Sequence, residues 1–569
     1  MFENQIQPRA ANPVLADYDG AAASFSWEQV NGEFSWHETG KVNIAHEAIS
    51  RFAENPATAR QPCLMYSLRD RREVYTYGDL DGLSNRFGNM LRALGVGQGD
   101  RVFLFLPNIP ELYVALAGCA KIGAIIVPLY AQFRSTALVE RMLDAQGSVL
   151  VTTPGHRSHI PVEQLPDLHH IIIVGGAGSP GKKETSWEAG MAAASAASAT
   201  VWLSADAPLF LIYTSGQDGH PIGLVHVHDA MRGYLMTGRW VLDLRPRDVL
   251  WTQAQPGWFM NVVYNAFAPW LCGAASFITG RISSAEEFYL NVQENRVSVV
   301  YTTPTVYRIL VEHDGADTAR RFDLKSLRHL ASVLEPLYPD LIYSVLRILD
   351  IPVHDTWWTA ETGMITIANF PCLAIKPGYL GKPVPGVTVT VLDSAGSEPP
   401  PFTMGDLAIK QGWPAMARGA WRNEQACAAF AENRPWLHIQ DMAFVDYDGY
   451  FYHQGRTDDV IITAAGKTGF SEIERALAGH PAVQEAAVIR SADTYGSKKI
   501  KAFVCLKQGF TVSTNLQNEL SDYLLQTLAP DLKIAAIEFC DSLPKDANGR
   551  LLRRVLKALE LGLPVGRVT

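Results

Sequence analysis

The chain has 569 residues, 47% of them hydrophobic and 19% charged, with a formal net charge of −9. That balance is ordinary for a globular protein large enough for several packed cores, and it excludes the basic footprint of a nucleic-acid binder. No apolar run reaches the roughly 18–20 uninterrupted residues that span a bilayer, so no membrane span is expected. The opening MFENQIQPRAANP lacks the basic and apolar blocks of a secretory leader. Seven scattered cysteines without a CxxC pair fit buried, reduced thiols in a cytoplasmic protein.

In chain order, Arg101–Leu106 is a short apolar run with the length of a buried strand, and the apolar spacing of Pro110–Ile122 predicts a helix. Ala124–Leu129, Val149–Thr152, His170–Val174, Leu209–Ile212 and Val297–Thr302 read as further strands. Strands alternating with helices predict βαβ units and mostly parallel sheets, divided among several subdomains. Gly175–Lys183 is a loop by composition. Gly190–Thr200 is low in complexity and fits a helix or a disordered stretch, and Pro-rich Gly396–Phe402 marks a turn.

The texture changes near Gly455. Beyond it come a helix over Phe470–Ala478, strands over Ala486–Ile489 and Lys501–Leu506, a helix over Leu516–Leu528 and a basic helix over Leu551–Ala558. The expected fold is α/β. A large multi-subdomain N-terminal domain with mostly parallel sheets covers residues 1–456, and a small α+β domain covers 457–569.

The most informative segment is Tyr213–Gly223, YTSGQDGHPIG, which follows the strand Leu209–Ile212. A strand leading into a Gly- and Ser-rich loop presents backbone amides and hydroxyls to phosphate oxygens. It is not a Walker loop, because GxxxxGK[ST] is absent. It resembles the phosphate loop of the adenylate-forming (AMP-binding) superfamily, roughly YTSG-[ST]-T-G-x-P-K-G. LVHVHDA (224–230), QPGWFMNVVYNAFAPWLCG (255–273), SLRHLASVLEPL (326–337), HDTWWTAETG (354–363), KPGYLGKPVPGV (376–387), GRTDDVI (455–461) and LPKDANGRLLRRVLKALELGLPVG (543–566) follow in the family's order. They look like its acetyl-CoA synthetase branch, the short-chain acyl-CoA synthetases.

The resemblance implies an AMP-forming acid–CoA ligase with ATP, Mg²⁺, CoA and a short carboxylic acid as its ligands. It also implies that the small C-terminal domain is a mobile lid hinged at Asp458. By the same resemblance Thr214, Ser215, Gly216, Gln217, Asp218, Gly219, Glu335, Pro336, Asp355, Thr356, Trp357, Asp441, Arg456 and Lys467 contact the nucleotide. Glu361 helps hold magnesium, a hard cation that takes oxygen ligands. Arg550 is the catalytic cation of adenylation, and Trp358 with Trp258 bounds a small acyl pocket.

The sequence departs from the family pattern at several of these positions. Gln217 and Asp218 stand for two hydroxyl residues, and Ile222 stands for the loop's lysine. A carboxylate about 4 Å from a phosphate charge costs about 4 kcal/mol at an effective dielectric near 20. Leu334 replaces the glycine of a GEP turn, Ala360 a hydroxyl, and Ile439-Gln440-Asp441 a TGD. Ala464-Ala465-Gly466-Lys467 replaces SGxR, and Arg550 a lysine. An Arg-for-Lys change keeps the charge and alters its geometry. Three functions fit this pattern. One is a working ligase. The second is a catalytically degenerate relative that binds a partner or a small ligand, as a regulator of an active homologue or a scaffold; a protein partner or a homo-oligomer is compatible with either function. The third is altered chemistry on the same scaffold. His226 and His228 alternate on a strand-like segment and match the family's HVH, so a metal site there has little support.

Overall fold

The computed structural model describes residues 5–68, 71–176, 181, 183–215, 220–311, 315–335, 337–393, 395–403, 405–430, 434–456, 460–463, 466–492, 498–528, 532, 534–544 and 553–560. Two large sheets dominate the N-terminal domain. The first has seven strands in the spatial order Glu184–Ser186, His170–Ile173, Val149–Thr152, Arg101–Phe105, Ile125–Pro128, Pro208–Ser215 and Pro221–Val227. All neighbours pair in parallel except the last two, which form a hairpin. The second has nine strands in the order Lys382–Pro383, Ile367–Ala368, Val353–Trp357, His329–Ser332, Val299–Thr302, Val249–Thr252, Ala275–Thr279, Pro62–Leu68 and Arg71–Thr76. Its centre is parallel and its margins antiparallel.

One continuous apolar core takes side chains from both sheets and from the helices Tyr77–Ala93 and Pro110–Lys121. The first helix begins at a capping box: Thr76 Oγ1 accepts from the Asp79 N–H (3.1 Å) and the Asp79 carboxylate accepts from the Thr76 N–H (2.9 Å). The second helix, started by Pro110, is buried along its length except at Glu111, which explains why it is apolar on all faces. Lys121 at its end is buried and charge-paired with Asp81 (2.6 Å).

Two departures from the predicted elements have physical causes. The segment 389–456 is not a continuation of the parallel pattern. It folds as a four-stranded antiparallel sheet of Val389–Leu392, Gly405–Lys410, Trp436–Val445 and Phe451–Arg456. In Trp436–Val445 burial nearly alternates along the strand, the period of a sheet packed on one face. The ambiguous stretch 190–200 splits. Helix Trp187–Ala193, capped by Ser186, absorbs its start, and the remainder is irregular.

In the C-terminal domain a hairpin of Val460–Thr463 and Gly466–Gly469 precedes helix Phe470–Ala478. A three-stranded sheet of Val483–Ala492, Lys498–Leu506 and Ala536–Phe539 then packs on helix Thr514–Thr527. Helix Arg553–Glu560 closes the chain's described part. Tyr130 of the N-terminal domain belongs to this domain's apolar cluster, with Phe133 and Trp258 packed against it. The hairpin also lies against the strand Pro208–Ser215. No disulfide joins the seven cysteines, and Cys63, Cys119, Cys272 and Cys505 are buried. No helix among the described residues is long and apolar enough to cross a membrane.

The two long helices pack closely where they meet. A Cβ added at Gly118 would lie 2.7 Å from the Phe87 ring and 2.9 Å from the Ser84 carbonyl oxygen. Because the second neighbour is backbone, relief requires the helices to separate. Gly118→Ala is expected to lower unfolding stability by about 1–3 kcal/mol, read as a lower denaturation midpoint at unchanged slope. An unchanged midpoint would contradict this packing.

Candidate active site

The expected site residues that are described lie on all three sheets of the N-terminal domain, on the segments that follow their strands, and on the first hairpin of the C-terminal domain. The hairpin of Pro208–Ser215 and Pro221–Val227, whose loop is expected to meet phosphate, brings Thr214 opposite Ile222 and Ser215 opposite Pro221. Gly216, Gln217, Asp218 and Gly219 at its tip fall outside the described residues, as do Pro336, Asp458, Ala464, Ala465 and Arg550.

The return strand of the hairpin is flanked by the segment 417–421. The Arg418 N–H donates to Val225 O (2.8 Å), the Val225 N–H to Gly419 O (3.0 Å) and the Trp421 N–H to Gly223 O (2.7 Å). The same segment reaches the metal candidate, since the Ala417 N–H donates to Glu361 O (3.0 Å). Gly363 makes this approach possible: its φ is +75°, and a Cβ there would sit 1.8 Å from Ala415 O. Glu361 is half-buried, and its carboxylate makes no hydrogen bond or ion pair among the described residues. One such carboxylate together with phosphate oxygens and water is the usual donor set for Mg²⁺, so the residues present fit that ion.

The strand Val353–Trp357 carries the next group, all of it buried. Asp355 accepts from the Thr356 N–H (3.0 Å), and burial pushes its carboxyl well above the ordinary carboxylate range. The Thr356 hydroxyl donates to Ser332 O (2.7 Å). The Trp357 Nε1–H donates to Asp441 Oδ2 (3.0 Å), and His453 Nε2 meets the same oxygen at 2.9 Å. Asp441 is thereby brought onto the parallel sheet, and its backbone pairs with that of Arg456. Lys467 pairs with Ile462 in the hairpin of the C-terminal domain.

Glu335 lies on the N-terminus of helix Pro304–Val311, where its Oε2 accepts from the Thr305 N–H (3.1 Å) and hydroxyl (2.7 Å). Just before it, Leu334 has φ +74° and the Glu335 N–H donates to Val333 O (2.9 Å). These are the marks of a γ-turn of the rarer, strained hand. Gln440 likewise has φ +64°. At both positions, where the resemblance implies a glycine, the backbone has the left-handed conformation that favours glycine, which costs a side-chain-bearing residue about 1–2 kcal/mol.

The two tryptophans expected in the acyl pocket have different ring partners. Trp358 packs against Phe259 (ring centroids 5.6 Å) and Tyr264 (5.3 Å). Trp258 stacks on Tyr130 (6.4 Å, 24° between planes) and faces the apolar cluster of the C-terminal domain. Three contacts escaped the sequence reading: His453 on Asp441, Thr305 on Glu335, and Tyr301, whose hydroxyl meets the Trp358 indole N–H at 3.0 Å. Each joins side chains from different elements, so no local pattern signals it.

Residues 49–421 match the family described as AMP-binding enzyme, and residues 472–550 match the AMP-binding enzyme C-terminal domain. The chain belongs to the AMP-binding enzymes. It is 42% identical over 553 residues to the acetyl-coenzyme A synthetase of Bacillus subtilis (strain 168), spanning 97% of this chain and 96% of that protein. It is 31% identical over 570 residues to the acetyl-coenzyme A synthetase of Methanothrix soehngenii, spanning 94% and 84% of the two chains. The crystal structure of a Brucella canis acyl-CoA synthetase superposes with a TM-score of 0.72 at 28% identity, covering 96% of this chain and 99% of that one. This AMP-binding enzyme thus has the expected α/β architecture, with large, mainly parallel sheets followed by a smaller C-terminal domain.

His226 and His228 of this AMP-binding enzyme are core residues. The His226 ring lies 4.3 Å from that of Phe259, and His228 Nδ1 accepts from the Ile44 N–H (3.2 Å). Burial drives both imidazoles down to about 3, and His354 to about 4; His329, whose ring is 4.5 Å from that of His354, falls well below the ordinary range. These four histidines are neutral in the folded protein near pH 7. Below about pH 6.5 the unfolded chain takes up protons that the folded chain refuses, so stability falls with acidification, by up to roughly 1.4 kcal/mol per pH unit for each histidine. The unfolding temperature is expected to drop steadily between pH 6.5 and pH 4, and less steeply in His354→Gln. A flat profile would show that these rings are not held neutral by the fold.

Proposed function

We propose that this chain is an AMP-forming acid–CoA ligase acting on a short carboxylic acid. The observation that carries the proposal is the convergence of the phosphate-loop hairpin, Glu361 and the Trp357–Asp441–His453 cluster where the N-terminal domain's sheets meet, in a chain similar over nearly its whole length to acetyl-coenzyme A synthetases.

In the proposed reaction an oxygen of the substrate carboxylate attacks the α-phosphorus of ATP. A P–O bond forms, pyrophosphate leaves, and an acyl-adenylate results. The CoA sulfur then attacks the acyl carbon, the C–O bond to AMP breaks, and thioester and AMP are released, the thiol proton passing to solvent. The hairpin's backbone would hold phosphate oxygens, and Asp441, fixed by two donors, would hold the ribose. Arg550 would balance charge at the α-phosphate, and Trp358 would limit the acid's length. Mg²⁺ held with the help of Glu361 would supply charge neutralisation on the phosphates.

A second reading, a catalytically degenerate binding protein, is favoured by Asp218 and Ile222, which put a negative charge and an alkyl chain where the family pattern has a hydroxyl and a cation.

Incubation with ATP, Mg²⁺, acetate and CoA distinguishes the two. The ligase yields AMP, pyrophosphate and acetyl-CoA in equal amounts, whereas the degenerate protein yields none. The joint substitution Asp218→Thr with Ile222→Lys is expected to tighten ATP binding by about tenfold or more, since one hydrogen bond to a charged group is worth roughly 1.5–3 kcal/mol. Unchanged affinity by calorimetry would mean that this loop does not meet the phosphates.

A further inference from the structure

The indole of Trp358 is held by more than packing. Its Nε1–H donates to the Tyr301 hydroxyl (3.0 Å), that hydroxyl lies 2.8 Å from Thr356 Oγ1, and the Thr356 hydroxyl donates to the main-chain carbonyl of Ser332 (2.7 Å). The direction of every link is forced. A carbonyl only accepts, so the single Thr356 proton goes to Ser332 O. The Tyr301 proton therefore goes to Thr356, and the Tyr301 oxygen is left to accept from the indole. The chain crosses the adjacent parallel strands Val299–Thr302, His329–Ser332 and Val353–Trp357 and ends on backbone, which cannot swing away.

All of this is buried: Tyr301 is 0% exposed, Thr356 4% and Trp358 9%. Burial raises the Tyr301 hydroxyl far above its ordinary range, so it remains a proton donor. Tyr264 closes one side, edge-on to both Trp358 (5.3 Å) and Tyr301 (5.4 Å), its own hydroxyl tied to the Ile365 N–H (2.9 Å). The indole has one polar atom, and one buried partner satisfies it. Turning the ring away would leave a buried N–H unpaired.

We infer that Tyr301 is a positioning residue that sets acid size: through the Trp358–Tyr301–Thr356–Ser332 chain it holds the indole across the acyl pocket. The inference rests on the ligase reading and on Trp358 bounding the acid. In a pocket whose end wall is fixed, one extra methylene is discriminated against strongly. A wall free to turn discriminates weakly.

The test compares acetate, propionate and butyrate by pyrophosphate release in the full-length protein. Tyr301→Phe is expected to raise the propionate-to-acetate ratio of kcat/KM by about tenfold, within the range one methylene is worth in such pockets. Thr356→Val, which breaks the same chain one link further along, is expected to shift the ratio in the same direction, and Thr356→Ser, which keeps the hydroxyl, is expected to leave it at the wild-type value. A purely structural role would lower stability without reordering the acids. Trp358→Ala serves as the reference for an opened pocket. If Trp358→Ala broadens the range and neither Tyr301→Phe nor Thr356→Val does, the inference is overturned and the pocket stands. If Trp358→Ala also leaves the ranking unchanged, or the wild-type protein activates none of the acids, the underlying reading fails and takes the inference with it. Should Tyr301→Phe not fold, the pair Thr356→Val and Thr356→Ser decides the question alone.

Discussion

The arrangement of the site depends on the buried carboxylate of Asp441. One of its oxygens receives the Trp357 indole N–H at 3.0 Å and lies 2.9 Å from His453 Nε2. Trp357 ends a strand of the nine-stranded sheet, while Asp441 and His453 belong to neighbouring strands of the antiparallel sheet. A carboxylate 3% exposed is tolerable only when hydrogen-bonded, and each donor comes from a different sheet. The interaction therefore fixes how the two sheets meet. The pairing register shifts between Met442 and Ala443, beside the left-handed Gln440. A bulge there bends the strand and re-aims its side chains.

From that joint the rest of the geometry follows. Parallel strands end at the edge where the antiparallel sheet docks, which is the usual place for ligands in α/β proteins. The segment leading out of Trp413 runs back along the phosphate-loop hairpin and bonds to Glu361, so the metal candidate and the loop share one backbone frame. Leu334 and Gln440 show how strongly that frame is imposed. Neither is glycine, yet both keep the left-handed backbone. The surrounding hydrogen bonds outweigh a local cost of about 1–2 kcal/mol at each.

The parallel strands were legible because they are short, apolar and buried on both faces. Arg101–Phe105, Val149–Thr152 and Val299–Thr302 lie within two residues of their expected bounds, and helix Phe470–Ala478 agrees at both ends. The antiparallel sheet was not legible in advance, because residues 393–404 and 411–435 separate its first three strands and only Trp436–Val445 shows the two-residue period over any length. Among the expected site residues, Asp441, Trp357 and Trp358 were named from motif spacing, and all three are buried. It could not reveal what each side chain touches. The Thr356 hydroxyl is committed to Ser332 and Tyr301, Trp258 turns toward the C-terminal domain, and the partners His453 and Tyr301 emerge only once the strands are laid side by side.

By the proposed ligase reaction, this frame activates an acid through an adenylate. The most direct measurement supplies acetate labelled with ¹⁸O in both oxygens, with ATP, Mg²⁺ and CoA, and weighs the AMP produced. Attack of the carboxylate on the α-phosphorus followed by cleavage of the acyl C–O bond leaves one labelled oxygen on each AMP. Label found in inorganic phosphate together with ADP, or AMP formed without label, would contradict the account.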